Sequence, residues 1–162
     1  MDLWVKSPVD DVMIQATLTE VRPDGNEVLI QSGWLRVGHH GEEGENLRID
    51  RDYSAENFTT VLVDEWQLAQ ISIPSFAHPV RRGSQVLLSI SSPGRNHGTW
   101  QFATPEYDSI PEFLVGYGGE LASSLRLTIL PDIEIPEVYP DCHGLRGQPC
   151  REFMPVENTV VD

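Results

Sequence analysis

Apolar residues recur at every second position along much of this chain. In DDVMIQATLTEV, Val12, Ile14, Ala16 and Leu18 alternate with Met13, Gln15, Thr17 and Thr19, the period of a strand that turns one apolar face to a core and a largely polar face outward. RPDGNE follows, with Pro23, Asp24 and Gly25 as turn residues, and then VLIQ; the three together predict a β-hairpin. The polar, acidic, glycine-rich run at 38–60 predicts a long loop, with room for a short helical turn around Trp34 to Val37 before it. WQLAQISI predicts another strand, stopped by Pro74. A Gly-Ser turn at Gly83 and Ser84 leads into QVLLSIS, where Val86, Leu88 and Ile90 share one face. SLRLTIL predicts a further strand through Leu125, Leu127 and Ile129, closed by Pro131, since proline has no N–H to give a sheet ladder.

These periods divide the chain into a β body over 1–131 and a proline-punctuated tail over 132–162 that should wrap the body in extended form. Short strands, no long amphipathic helix and frequent Gly and Pro punctuation predict an all-β domain, a jelly-roll β-sandwich. The 162 residues suffice for one domain, since a chain of this size buries about two-thirds of the surface its unfolded form exposes.

Charge narrows the partners. With 25 acidic against 11 basic side chains and a net charge of -14, the field repels phosphate backbones and anionic bilayers, so neither nucleic acid nor a membrane is an expected partner. No apolar run approaches the roughly 20 residues of a spanning helix, and MDLWVKSP lacks the cationic start and apolar stretch of a signal peptide. A soluble chain is the expectation, with its compartment unread.

The two cysteines, Cys142 and Cys150, sit close together in DCHGLRGQPC. A bridge between them is the expectation, since the Gly and Pro positions let the intervening chain turn back, and it would stabilise the local fold by roughly 2 to 3 kcal/mol on a loop-entropy estimate; the alternative is a pair of free thiols in a reducing compartment. A structural zinc site would require ligand pairs two to four residues apart and a second pair elsewhere, which this spacing does not supply.

Three other groups offer chemistry. His78, on the bend IPSFAHPVRRGS, has Ser75, Ser84, Ser91 and Ser92 in its neighbourhood. A nucleophilic serine needs a base within reach, a group to orient that base and donors for the oxyanion. The G-x-S-x-G elbow that sets this up in α/β-hydrolases does not occur, so the expectation is no catalytic residue. His39, His40, Glu42, Glu43 and Glu45 carry donors suited to zinc, nickel or copper. Their setting is that of a solvated charge run, and neither metal nor cofactor is expected. The aromatic residues divide into core fillers on strands and edge candidates, among them Trp100, Phe102 and Tyr107 beside SSPGRNHGT; an edge ring can serve an interface or a glycan platform.

Taken in order, VRPDGNEVLIQSGWLR, ISIPSFAHPVRRGSQVLLSISSPG, TWQFAT and CHGLRGQPCR resemble the C-terminal domain of the X-prolyl dipeptidyl-peptidase and cocaine-esterase-like serine hydrolases, over nearly the whole chain. The resemblance implies a jelly-roll domain similar to galactose-binding modules. It packs against an α/β-hydrolase domain that carries the Ser-Asp-His triad, and helps wall the substrate pocket. No catalytic residue carries over, because the triad belongs to the preceding domain. His78 then falls on a strand-to-strand bend with a structural or interfacial role, and Phe76, His78, Trp100 and Phe102 are the expected contact residues. The alternative from another class is a free-standing carbohydrate-binding or interaction module of the same fold.

Overall fold

A computed structural model describes residues 1–44, 49–94, 105–142 and 149–155. Among the described residues nine strands run in chain order: β1 Asp2–Lys6, β2 Met13–Val21, β3 Asn26–Arg36, β4 Glu42–Glu43, β5 Ile49–Asp50, β6 Trp66–Gln70, β7 Gln85–Ser91, β8 Leu114–Val115 and β9 Arg151–Glu152. Among the described residues no helix is long and apolar enough to cross a membrane.

Two antiparallel sheets form a sandwich, one ordered β6-β1-β8 and the other β7-β2-β3-β9; β4 and β5 pair with each other apart from both. The chain crosses between the sheets repeatedly, from β1 to β2, from β3 to β6 and back to β7. The alternation leading into and along β2 explains the layer between them: Val12, Ile14, Ala16 and Leu18 are all buried, and the first three meet Leu3, Val5, Ala69 and Ile71 from the side of the other sheet together with Leu35, Val37 and Val61. Burying one such side chain fully contributes about 1.5–3 kcal/mol.

β2 lies between β3 and β7. Its register puts Ile14 opposite Leu35 and Ala16 opposite Gly33 on one edge, and Ala16 opposite Ile90, Leu18 opposite Leu88 and Glu20 opposite Val86 on the other. Between Leu18 and Thr19 a bulge shifts the β3 register, so that Leu18 faces Gln31 and Thr19 faces Leu29; such an extra residue bends and twists the strand. Gly33 is glycine because the carbonyl of Ser72 and the side chain of Ile73 occupy the space a Cβ would need.

Two expectations fail here. The helical turn around Trp34 to Val37 is absent: β3 continues through Arg36, and the Val37 N–H donates to Val12 O at 2.8 Å. Buried Leu35 and Val37 alternate with half-exposed Trp34 and Arg36, a period of two that belongs to a strand. The predicted strand from Leu125 to Ile129 is reduced to an isolated bridge between Ser124 and Asp2. β1 offers its second edge to β8, then to Gly116 and finally to Ser124. Beyond Asp2 that edge is spent, and the run continues outward without a ladder, leaving Ile129 79% exposed. The 38–60 stretch, expected as plain loop, carries β4, β5 and a 3-10 turn at Ala55–Asn57.

The core is uncovered at one side. On β7, Val86 and Ile90 point the same way as buried Leu18 and Ala16 yet are 44% and 37% exposed. Leu18→Ala should therefore cost about 3 kcal/mol, and Ile90→Ala no more than about 1 kcal/mol, when the two are compared by urea unfolding. Equal losses would show that the β7 face is covered after all.

Candidate functional site at the bend between β6 and β7

Continuing the β2 alternation past Leu18 places Glu20 on the core face, an acid where the pattern asks for an apolar residue. It is fully buried. A carboxylate in that setting needs a partner, and it has one 58 residues away in sequence: His78 Nε2 lies 2.8 Å from Glu20 Oε2, with the two side chains 6% and 0% exposed. The imidazole arrives there because residues 71–84, between β6 and β7, have no regular structure and cross the end of β2. Pro74 and Pro79 bracket this segment and withhold two donors that a ladder would require. Its far end is a tight turn in which the Ser84 N–H donates to Arg81 O at 3.1 Å. Gly83 takes φ +88° there, with Pro23 of the hairpin turn packed close by, a backbone region that favours glycine.

Electrostatics fit a paired, ionised glutamate. Burial alone would push the Glu20 carboxyl up. Hydrogen bonding from Ser84 and from the His78 ring, then the charge of that ring and the backbone N–H of Arg81, more than offset burial, so the group sits below the ordinary glutamate value of 4.5. A second acid nearby behaves alike: Glu27, buried on β3, accepts two hydrogen bonds from Arg151 on β9, Nε to Oε2 and Nη2 to Oε1, each 2.8 Å. That bidentate pair holds Glu27 below 4.5 against its burial, with help from Thr19.

The trio of Ser84, His78 and Glu20 has the residue types of a hydrolytic triad and the wrong connectivity. In a triad the imidazole stands between serine and acid. Here the ring's one hydrogen bond goes to Glu20, and the Ser84 hydroxyl pairs with the Tyr139 hydroxyl at 2.9 Å instead of with the ring. The remaining ring nitrogen, Nδ1, is buried with no hydrogen-bond partner, so it can reach neither a hydroxyl nor a substrate. The arrangement fixes a bend.

The other candidates sort out as follows. Phe76 lies on the same bend as His78 and is 38% exposed. Trp100 and Phe102 lie outside the described residues. Tyr107 donates its hydroxyl to Asp11 O at 2.8 Å, anchoring a connection rather than offering an edge ring. Cys142 and Cys150 are joined in a disulfide. His39 is buried between the tilted rings of Tyr53 and Phe58, at 5.5 and 5.2 Å, as part of the packing. His40 and Glu42 face an open basin of about 810 Å³ with Asp50, Arg51, Asp52 and Tyr53. Glu43 lies in β4 and Glu45 outside the described residues; among those described, no three His, Cys, Asp or Glu side chains converge as a metal site.

A strand-built body with a buried acid-imidazole pair, no triad connectivity and an uncovered core edge has the character of a supporting domain. Residues 1–120 match the family model described as the X-Pro dipeptidyl-peptidase C-terminal non-catalytic domain. The chain belongs to that family. It is the non-catalytic C-terminal domain of an X-Pro dipeptidyl-peptidase-type hydrolase, and a C-terminal domain implies a catalytic domain attached to it in the parent protein. No curated protein and no solved structure matches the chain. The Glu20–His78 pair and the Glu27–Arg151 clamp were not foreseen from the sequence. The one signal available was Glu20 itself, an acid on the inward phase of a strand.

Both acids are held below 4.5 in the folded chain, so the stability they contribute is complete above that pH and is lost as pH falls through their lowered values. Thermal midpoints should be level from neutrality to about pH 4.5 and drop below it, and Glu27→Gln should shrink that drop. His78→Ala strands the Glu20 carboxylate and should cost about 3 kcal/mol in urea unfolding at pH 7.

Proposed function

We propose that this domain braces the catalytic domain of its parent hydrolase and helps wall that enzyme's substrate pocket, its own strands closing in jelly-roll order. The partner is an α/β-hydrolase domain carrying a Ser-Asp-His triad, as the resemblance to the X-prolyl dipeptidyl-peptidase and cocaine-esterase-like enzymes implies. The repeated crossing from one sheet to the other supports the jelly-roll reading, since Greek-key closure requires it.

The observation that carries the bracing role is the uncovered side of β7. Val86 and Ile90, 44% and 37% exposed, continue the core layer outward, and the neighbouring bend adds Phe76 at 38% and Val80 at 40%. Exposed rings and aliphatic side chains that continue a core are characteristic of a docking face. His78 is the pin beneath it. By its bond to the immobile Glu20 it ties the bend to β2, so that Phe76 is presented on a rigid support; Trp100 and Phe102 complete the proposed contact set. A brace of this kind acts on rate through position, because small displacements of reacting groups are costly.

The experiment pairs the chain with the separately produced catalytic domain of its parent. Phe76→Ala and Ile90→Glu should leave the fold of the isolated chain intact by circular dichroism. They should weaken association by about thirtyfold, the effect of losing one anchor worth about 2 kcal/mol, and lower turnover of an X-Pro chromogenic substrate in the reconstituted pair. Undiminished association of both variants would overturn the reading. A saturable tryptophan-fluorescence response of the isolated chain to simple sugars would point instead to a glycan-binding module.

A further inference from the structure

The family match ends at residue 120, yet the chain beyond it makes some of the most specific contacts in the molecule. From Pro136 the tail crosses the bend that carries His78. The Arg81 guanidinium donates from Nε to Pro136 O at 2.9 Å, and Arg22 donates from Nη1 to Pro140 O at 2.9 Å. Between these two anchors the ring of Tyr139 sits under both guanidinium groups, 5.1 Å from that of Arg22 and 5.3 Å from that of Arg81. Its hydroxyl lies 2.9 Å from Ser84 Oγ, in the tight turn that the Ser84 N–H closes on Arg81 O. One aromatic side chain thus joins the hairpin turn and the tight turn before β7.

A second grip follows. On β9, Arg151 is clamped bidentately by Glu27, Glu152 pairs with Asn26, and the Phe153 N–H donates to Gly25 O at 2.9 Å. The first arm holds the bend and the second holds the β2–β3 turn. Cys142 and Cys150 lie between them, bonded to each other and with the Cys150 N–H donating to Cys142 O at 3.1 Å. Two weak attachments joined by a short rigid link hold far better than the same two joined by a slack one, and the bridge shortens the link across a sequence separation of 8. Both cysteines are half-exposed, which leaves the bond within reach of an external thiol.

We propose that residues 136–142 and 149–153, joined through the Cys142–Cys150 bond, form a thiol-sensitive strap that locks the bend bearing Phe76 and His78 when the cysteines are bridged and loosens it when they are reduced. The opening reaction is thiol–disulfide exchange with an external dithiol. One thiolate of the reductant attacks a cystine sulfur to give a mixed disulfide. Its second thiolate then displaces the protein sulfur, and two electrons and two protons leave Cys142 and Cys150 as thiols while the dithiol becomes a disulfide. As a control on docking, the proposal rests on the bracing role above.

Hydrogen exchange on the isolated chain tests the strap independently of any partner. Reduction with a water-soluble phosphine, and the double variant Cys142→Ser with Cys150→Ser, should each accelerate exchange of the Ser84, Arg22 and Gly25 amides. The expected acceleration is about tenfold, the ratio that follows from losing one net hydrogen bond, with amides of β1 and β6 unchanged. Tyr139→Phe with the bridge intact should accelerate the Ser84 amide alone. Acceleration confined to 142–150, or a Tyr139→Phe chain identical to wild type, overturns the proposal. In the reconstituted pair, weaker association of the reduced chain extends the strap to docking. If neither redox state associates, the bracing role fails while the exchange result on the strap stands by itself.

Discussion

β2 is the constraint on which the rest of the molecule depends. It is hydrogen-bonded along both edges, to β3 and to β7, and buried on the face it turns to the opposite sheet. A strand so enclosed has no freedom of register, because a slip of one residue would send Val12, Ile14, Ala16 and Leu18 to the other face. Fixing β2 fixes the β3 hairpin on one side and β7, where the bend ends, on the other.

The same strand explains why one charged pair is buried. Once the register is set by four apolar residues, the next inward position falls on Glu20, and the fold must supply a counter-group or lose the cost of a stranded carboxylate. His78 meets that requirement from a segment that lacks any ladder of its own. The consequence is mechanical: an irregular bend, ordinarily the least restrained part of a sandwich, is pinned at its centre to the most restrained strand. The acid-imidazole pair is thereby an element of support, with the Ser84 hydroxyl paired to Tyr139 and not to the ring.

Exposure is distributed with equal purpose. The layer between the sheets is buried, whereas the β7 side of that layer and the residues flanking His78 leave apolar surface in solvent. A chain that belongs to a C-terminal non-catalytic domain family would be expected to keep such a surface for the domain it is attached to. The tail from Pro136 onward grips the end of the same bend and the hairpin turn, through Tyr139, Arg22 and Arg81.

What the sequence alone determined was local and periodic. The alternation on β2, the Pro-Asp-Gly turn, the apolar face of β7 and the all-β class were all legible, because a period of two and a turn composition act over a few residues. The order of family-like segments placed the domain beside a hydrolase. Tertiary structure alone decided the rest. Whether Trp34 to Val37 coils or extends depends on Met13 and Val12 offering an edge to pair with. Whether Leu125 to Ile129 becomes a strand depends on β1 having length left, and it does not. The partner of Glu20 lies 58 residues on and that of Glu27 lies 124 residues on. Such pairings arise from how the layers close in space, which no short-range pattern encodes.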